Sequence, residues 1–287
     1  MKHTFLFFTL AAALTAAASC SKPAELLSKQ ESASSPAEIV IGVGDDFSAE
    51  VSTKATAVTS VPSTLWWGAT TGTSTEASKW AAASASVSSS KINTGHYQTA
   101  SPTAYNYYVA NQSFSVGATT SMTVANNNTD VIVGRTAANS TTTPSVTLGH
   151  IFARTGSLTA NAPSGYSISG VSWKIVGKSD INGTAGTYNM TSGAWSAAST
   201  KLSSETSLTS SSDMYLIPGT YTVKVTYTLS KGEWSSTATK SADVTLVQGK
   251  INNITGTVNN LGGASEIVLS LSVSDWTTNN ISGISFN

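Results

Sequence analysis

The sequence predicts an all-β protein, built as two antiparallel β-sandwich domains in tandem after a signal peptide and a tether. Three observations predict it. The chain has 287 residues, yet only 10% are charged, against about a quarter in typical globular chains. The place of Lys and Glu is taken by Thr and Ser, with Val, Ala and Gly behind them, and branched β-carbons suit a pleated surface. Second, short apolar runs of period two recur between turn-forming Gly, Asn, Asp and Pro residues, the pattern of half-buried strands. Third, no stretch beyond the N-terminal apolar run carries helical periodicity over a useful length. Many short strands joined by turns form sandwiches, and the length suits two domains.

The N-terminus carries Lys2 and then an apolar run from Phe5 to Ala18. A basic tip, a short apolar core and small residues make a secretory signal over 1–19. The run is too short to span a bilayer stably. Cys20, the only cysteine, follows at once after Ala17-Ala18-Ser19. This arrangement resembles the lipobox of bacterial lipoproteins, although the usual leucine three places before the cysteine is Ala17. The resemblance implies that Cys20 is acylated and becomes the mature N-terminus. It also gives the lone thiol a role in an exported protein, where it has no disulfide partner. Acyl chains add about 0.8 kcal/mol of membrane affinity per buried methylene, and more than one makes the anchor lasting. Residues 20–37 are polar, with Pro23 and Pro36 near the ends, and read as a flexible tether.

The first sandwich is assigned to 38–144. Glu38-Ile39-Val40-Ile41-Gly42-Val43 is its first strand, and Gly44-Asp45-Asp46 turns the chain. Gly42-x-Gly44 lacks the third glycine and the helix of a phosphate loop. Asp45 and Asp46 lack the regular oxygen spacing of a calcium loop and read as turn residues. Leu65-Trp66-Trp67-Gly68 places neighbouring tryptophans on opposite faces, one toward core and one toward the surface. A Ser/Thr/Ala-rich loop extends from there to Ser90. Tyr105–Ala110, Ser113–Val116, Met122–Val124 and Val131–Gly134 are strand-like, with Asn126-Asn127-Asn128 as a turn. The Ser/Thr/Asn run from Ala137 to Pro144 reads as the linker.

The second sandwich is assigned to 145–287. Val146–Thr155 opens it, and Val171, Trp173 and Ile175 share a face of the next strand. The clearest pattern follows Pro218-Gly219. Tyr221, Val223, Val225, Tyr227 and Leu229 point one way, and Thr222, Lys224, Thr226 and Thr228 the other. Ile267, Leu269, Leu271 and Val273 repeat this alternation near the C-terminus.

Together several segments resemble the fimbrillin-like family, the lipoprotein pilins and pilin-related proteins of anaerobic Gram-negative bacteria. They are the lipoprotein start, Thr53-Lys54-Ala55-Thr56, His150-Ile151-Phe152-Ala153-Arg154, Tyr215-Leu216-Ile217-Pro218, Leu246-Val247-Gln248-Gly249-Lys250-Ile251 and Val273-Ser274-Asp275-Trp276. The resemblance implies transthyretin-like sandwiches and an outer-membrane lipoprotein whose own first strand fills a groove. A trypsin-like protease then cuts after a basic residue, and a strand of the neighbouring subunit enters the vacated groove. That is β-augmentation, with affinity from main-chain hydrogen bonds and specificity from alternating side chains. Carried over by position, Ile39, Ile41 and Val43 are the groove-filling residues and Lys54 the cleavage site. The family commonly has arginine there, and here the first arginine is Arg135. Ile284 and Phe286, on one face of the C-terminal tail, stand where the donor strand is expected. The implied partners are other fimbrial subunits, the outer membrane and a receptor on a host or bacterial surface.

Composition and motifs argue against catalysis. Formal net charge is zero, which removes the electrostatic basis for nucleic-acid binding. The mature chain keeps only His96 and His150. It has no Cys/His cluster for zinc, no His-Glu-x-x-His and no Gly-x-Ser-x-Gly, so no cofactor, metal or catalytic residue is expected. His150, near Arg154, reads as a hydrogen-bonded structural residue. The alternative reading is a lipid-anchored glycan-binding protein with Trp66, Trp67 or Trp80 as a stacking platform.

Overall fold

In the computed structural model, residues 36–45, 58–72, 78–98, 103–210, 213–259, 266–275 and 280–284 are described. The signal segment, nearly all of the tether, Cys20, Lys54 and Phe286 lie outside these residues. The chain from Pro36 to Asn287 forms one compact unit. Its described residues form strands, turns and irregular backbone, with no helix.

Eight strands come from the first half: β1 (Ala37–Asp45), β2 (Thr64–Thr71), β3 (Ser78–Ser88), β4 (Lys91–Gln98), β5 (Tyr105–Ala110), β6 (Ser121–Val124), β7 (Ile132–Arg135) and β8 (Ser145–His150). All but β6 join one sheet that closes on itself in the order β1-β4-β3-β2-β5-β7-β8. The closing seam is a parallel pair, β1 against β8. Closure removes both free edges, which a neutral, Thr-rich sheet otherwise offers to other chains. The ring encloses Ile39, Ile41, Leu65, Trp67, Ile92, Tyr107, Val109, Ile132 and Val146, all buried. At Gly134 in β7 an added Cβ would lie 2.4 Å from Val146 and 2.6 Å from the Thr147 carbonyl of β8, so only glycine lets these strands approach.

The run 137–144, which reads as a linker, is part of this construction. Asn139 exchanges backbone hydrogen bonds with Tyr105, and the Thr142 and Pro144 carbonyls accept from Val40 and Gly42 of β1. The expected division after Pro144 therefore falls between β7 and β8, two strands paired within one ring.

The second half supplies β9 (Ala153–Asn161), β10 (Ser167–Gly177), β11 (Gly183–Asn189), β12 (Ala194–Lys201), β13 (Thr206–Leu208), β14 (Tyr215–Leu216), β15 (Gly219–Lys231), β16 (Trp234–Leu246), β17 (Lys250–Asn259), β18 (Glu266–Asp275) and β19 (Asn280–Ile284). They form sheets ordered β13-β10-β15-β16 and β14-β9-β17-β18-β19, and a small sheet β12-β11-β6 that takes β6 from the first half. In β15 the alternation resolves as expected: Tyr221, Val223, Val225, Tyr227 and Leu229 are buried and the residues between them are not.

A third core joins the halves. It holds Tyr108, Met122, Ile151, Phe152, Tyr188, Tyr215 and Ile217, with Trp195 and Ile251 against it. Three of the segments that carry the family resemblance meet here. The Gly249 amide donates to the Phe152 carbonyl at 2.8 Å and the Ile217 amide to the Gly183 carbonyl at 2.8 Å.

Buried phenols mark the cores. The Tyr221 hydroxyl donates to the Ile217 carbonyl at 2.7 Å and accepts from the Gly183 amide at 3.2 Å. Burial pushes its pKa up despite the bond it accepts from Gly183. Burial, and then the neighbouring Tyr105, push Tyr107 up to about 12. A raised acid pKa favours the protonated native state. The corresponding stability is full below the unfolded value of about 10 and declines as pH rises from there to the folded value. Denaturant melts taken from pH 9 to 12 are expected to show this fall, and Tyr107→Phe is expected to flatten part of it.

Candidate functional site

The candidate site is built around β1. Ile39, Val40, Ile41 and Val43 are β-branched and extended by preference. Ile39 and Ile41 are 0% exposed and Val43 is 3% exposed, and all three point into the ring. Glu38, Val40 and Gly42 take the other face, half-buried.

Both walls of the slot are strands. β4 runs antiparallel to β1, with Ile41 opposite Ile92 and Gly42 opposite Lys91. The register shifts between Glu38 and Val40. There the Thr94 hydroxyl donates to the Ile39 carbonyl at 2.7 Å, and the Gly95 amide to the Glu38 carboxylate at 3.0 Å. β8 runs parallel, from Gly42 opposite Ser145 to Asp45 opposite Leu148. The Val40 and Gly42 amides donate toward this wall and the Val43 amide toward the Ser90 carbonyl, each at 2.8 Å. Thus β1 is held by main-chain bonds on both edges and by three alternate side chains in a closed apolar interior. Without β1, that interior would expose Leu65, Ile92, Ile132, Val146 and their neighbours as one groove between β4 and β8.

The structure places the predicted tryptophans differently from a stacking platform. Trp67 is 3% exposed and sits in the ring core, and Trp66 is half-buried against the joining core. Trp80 is half-buried, stacked on His96 at 4.7 Å and tilted against Tyr105 at 4.9 Å. A sugar needs an open ring face, and Trp67 offers none because Trp80 and His96 also cover it, at 5.9 Å and 5.4 Å. The described residues contain no group of acidic, His or Cys side chains arranged to hold a metal.

His150 is buried, with its Nδ1 2.9 Å from Asp130 Oδ2. Sequence reading singled out the histidine and missed the carboxylate, which lies in an Asn/Thr turn with no pattern around it. It also missed β4, and it read β8 as the opening of a second sandwich rather than as a neighbour of β1. β4 is a largely polar run, and the pairing of both strands with β1 is non-local.

Residues 69–276 match the fimbrillin-like family, and the chain belongs to that family, whose members are fimbrial structural and adhesion proteins and not enzymes. Its place is accordingly a cell-surface fimbrium. A fimbrial protein from Bacteroides vulgatus has a similar structure, with 14% identity and a TM-score of 0.54 over 83% of this chain and 99% of that one. A protein from Parabacteroides distasonis, provisionally assigned to cell adhesion, is 9% identical with a TM-score of 0.51 over 84% of this chain and 97% of its own. At these identities the likeness is one of fold. Among curated proteins, none is matched by the sequence.

Proposed function

We propose that this chain is a fimbrial subunit exported as a lipoprotein on Cys20 and assembled by exchange of β1 for a strand of a second subunit. The observation that carries the reading is an echo of β1 within the chain itself. β1 reads Glu38-Ile39-Val40-Ile41-Gly42-Val43-Gly44, and β18 reads Glu266-Ile267-Val268-Leu269-Ser270-Leu271-Ser272. The first three residues are identical, the apolar positions alternate in step, and small residues stand between them. A slot shaped for Ile39, Ile41 and Val43 accepts Ile267, Leu269 and Leu271 by the same alternation. The tail residues Ile284 and Phe286 offer only two such positions, so β18 is the better donor.

The place of β18, one strand from the end of its sheet, supports this reading. The strand pairs with β17 along its length and with β19 at only a few positions, at the end of its sheet. Its departure with β19 uncovers one edge of β17. Cleavage after Lys54, in the segment between β1 and β2, releases β1. A head-to-tail contact between a slot and a donor on different surfaces builds an open fibre.

The test is limited trypsin digestion of the full-length chain, with the cut mapped by mass spectrometry and the product viewed by negative-stain electron microscopy. A cut at Lys54 followed by loss of β1 and by fibres is expected. A synthetic Glu266–Asp275 peptide is expected to block fibre growth and raise the melting temperature of the cut protein, by about 2.7 kcal/mol of stability at a hundred times its Kd. The same peptide with Leu269→Asp is expected to do neither. A cut protein that stays monomeric and ignores the peptide refutes strand exchange.

A further inference from the structure

The buried pair Asp130–His150 has a second contact that ties it to the maturation segment. Asp130 is 0% exposed, and its Oδ2 accepts the Val58 backbone amide at 2.8 Å. Its own backbone is fixed: the Asn111 side chain donates to the Asp130 carbonyl at 3.0 Å and accepts the Ile132 amide at 3.1 Å. His150 closes β8 and pairs with Ile132 of β7. Asp130 therefore meets three parts of the chain at once: Asn111 just after β5, the end of β8, and Val58.

The position of this node matters. β1 leaves the ring at Asp45, opposite Leu148. Val58, the first described residue after Asp45, is held by Asp130, which grips His150, two residues beyond Leu148. Asp45 and Val58, the described residues on either side of Lys54, are thus both tied to the His150 end of β8. Downstream of Val58, Val58 and Val61 pack on the ring core, and the Ser63 carbonyl accepts the Val87 amide at 2.8 Å.

We propose that Asp130 and His150 form a latch that divides the released chain from the retained chain. The pair holds Val58 while β1 leaves, so a cut at Lys54 frees the strand before it and leaves the rim of the slot in place. A neutral acceptor would hold the amide less tightly, since hydrogen bonds to a charged group are roughly twice as strong. The histidine fixes the carboxylate so that one oxygen meets Val58. These are positioning residues. The inference rests on the reading of β1 as a releasable strand.

Hydrogen exchange read by mass spectrometry on the full-length chain tests it. In the uncut protein, Asp130→Ala is expected to speed exchange over Thr59–Leu65 at least tenfold while β15 keeps its protection. Should Asp130→Ala fail to fold, Val58→Pro removes the same bond with the carboxylate pair intact, and the same local rise is expected. Unchanged exchange over Thr59–Leu65 in the folded variant overturns the latch. In the trypsin-cut wild type, protection over Thr59–Leu65 is expected to survive the loss of β1, and its collapse overturns the latch too. If β1 stays bound after the cut, the release reading fails, while the uncut comparison still judges the latch.

Discussion

Ile41→Asp is expected to destabilise the ring by more than about 4 kcal/mol and to convert a self-filled subunit into one with an open slot. Ile41 is fully buried, opposite Ile92, in the ring core. Loss of its apolar burial alone is worth about 1.5–3 kcal/mol. An unpaired carboxylate in the same place adds several more, or is protonated at comparable cost. The chain has a way to relieve this that an ordinary core position lacks. β1 is the first strand of the ring and can leave without threading, taking the carboxylate to water. The departed strand leaves the main-chain groups of β4 and β8 unpaired, which a donor strand satisfies. The variant is therefore expected to oligomerise without proteolysis, and to bind the Glu266–Asp275 peptide that the wild-type precursor ignores. Calorimetry and light scattering check both. Ile41→Ala is expected to cost about 2–5 kcal/mol and to leave the strand in place. An Ile41→Asp protein that unfolds cooperatively as a monomer argues that β1 is an ordinary barrel strand.

The parts of this structure that were legible share one property: burial on one face of an extended segment. β15 shows it over its whole length, and β1 over Ile39, Ile41 and Val43, so both strands and their inward faces could be read from period two alone. β3 could not. Its Ser, Ala and Trp residues give almost no contrast between faces, so the stretch reads as loop although Leu65–Trp67 and Ala83–Ala85 pair directly. The run 137–144 reads as linker for a related reason: its contribution is made by main-chain groups, which carry no sequence pattern. The candidate site was half legible. β1 is written in one contiguous segment, whereas the strands beside it, β4 and β8, lie far along the sequence from it, and no local pattern announces a pairing. His150 drew notice because histidines are few here. Asp130, which gives it a purpose, sits in a polar turn that looks like any other.

The pair Arg154–Asp213 is the other position where a large effect is expected. Arg154 Nη2 lies 2.6 Å from Asp213 Oδ2, and both side chains are nearly inaccessible, at 6% and 3% exposed. The pair stands at the joining core, where β9 meets β14 through Arg154 opposite Tyr215. Neutral groups complete it. The Asn128 side chain donates to the Asp213 carbonyl at 3.0 Å and accepts the Tyr215 amide at 3.1 Å, and the Asn252 side chain donates to the Arg154 carbonyl at 3.1 Å. Removing one charge strands the other in a dry site. Asp213→Ala is therefore expected to cost about 3–5 kcal/mol, which for a unit of this size lowers Tm by roughly 6–20 °C. Desolvation argues that the pair itself contributes little net stability, so removing both charges should be milder than removing one. Arg154→Met with Asp213→Leu is expected to recover most of the loss, a coupling that a urea double-mutant cycle measures directly. The net gain from such a pair is then specificity: it fixes which backbone meets which at the seam between the halves, where Asn128 from the first half reaches Asp213 and Tyr215 at β14. If the double variant is as unstable as Asp213→Ala, the pair is a true source of stability, and the apolar contacts of Phe152, Tyr215 and Ile217 are not enough to hold that seam.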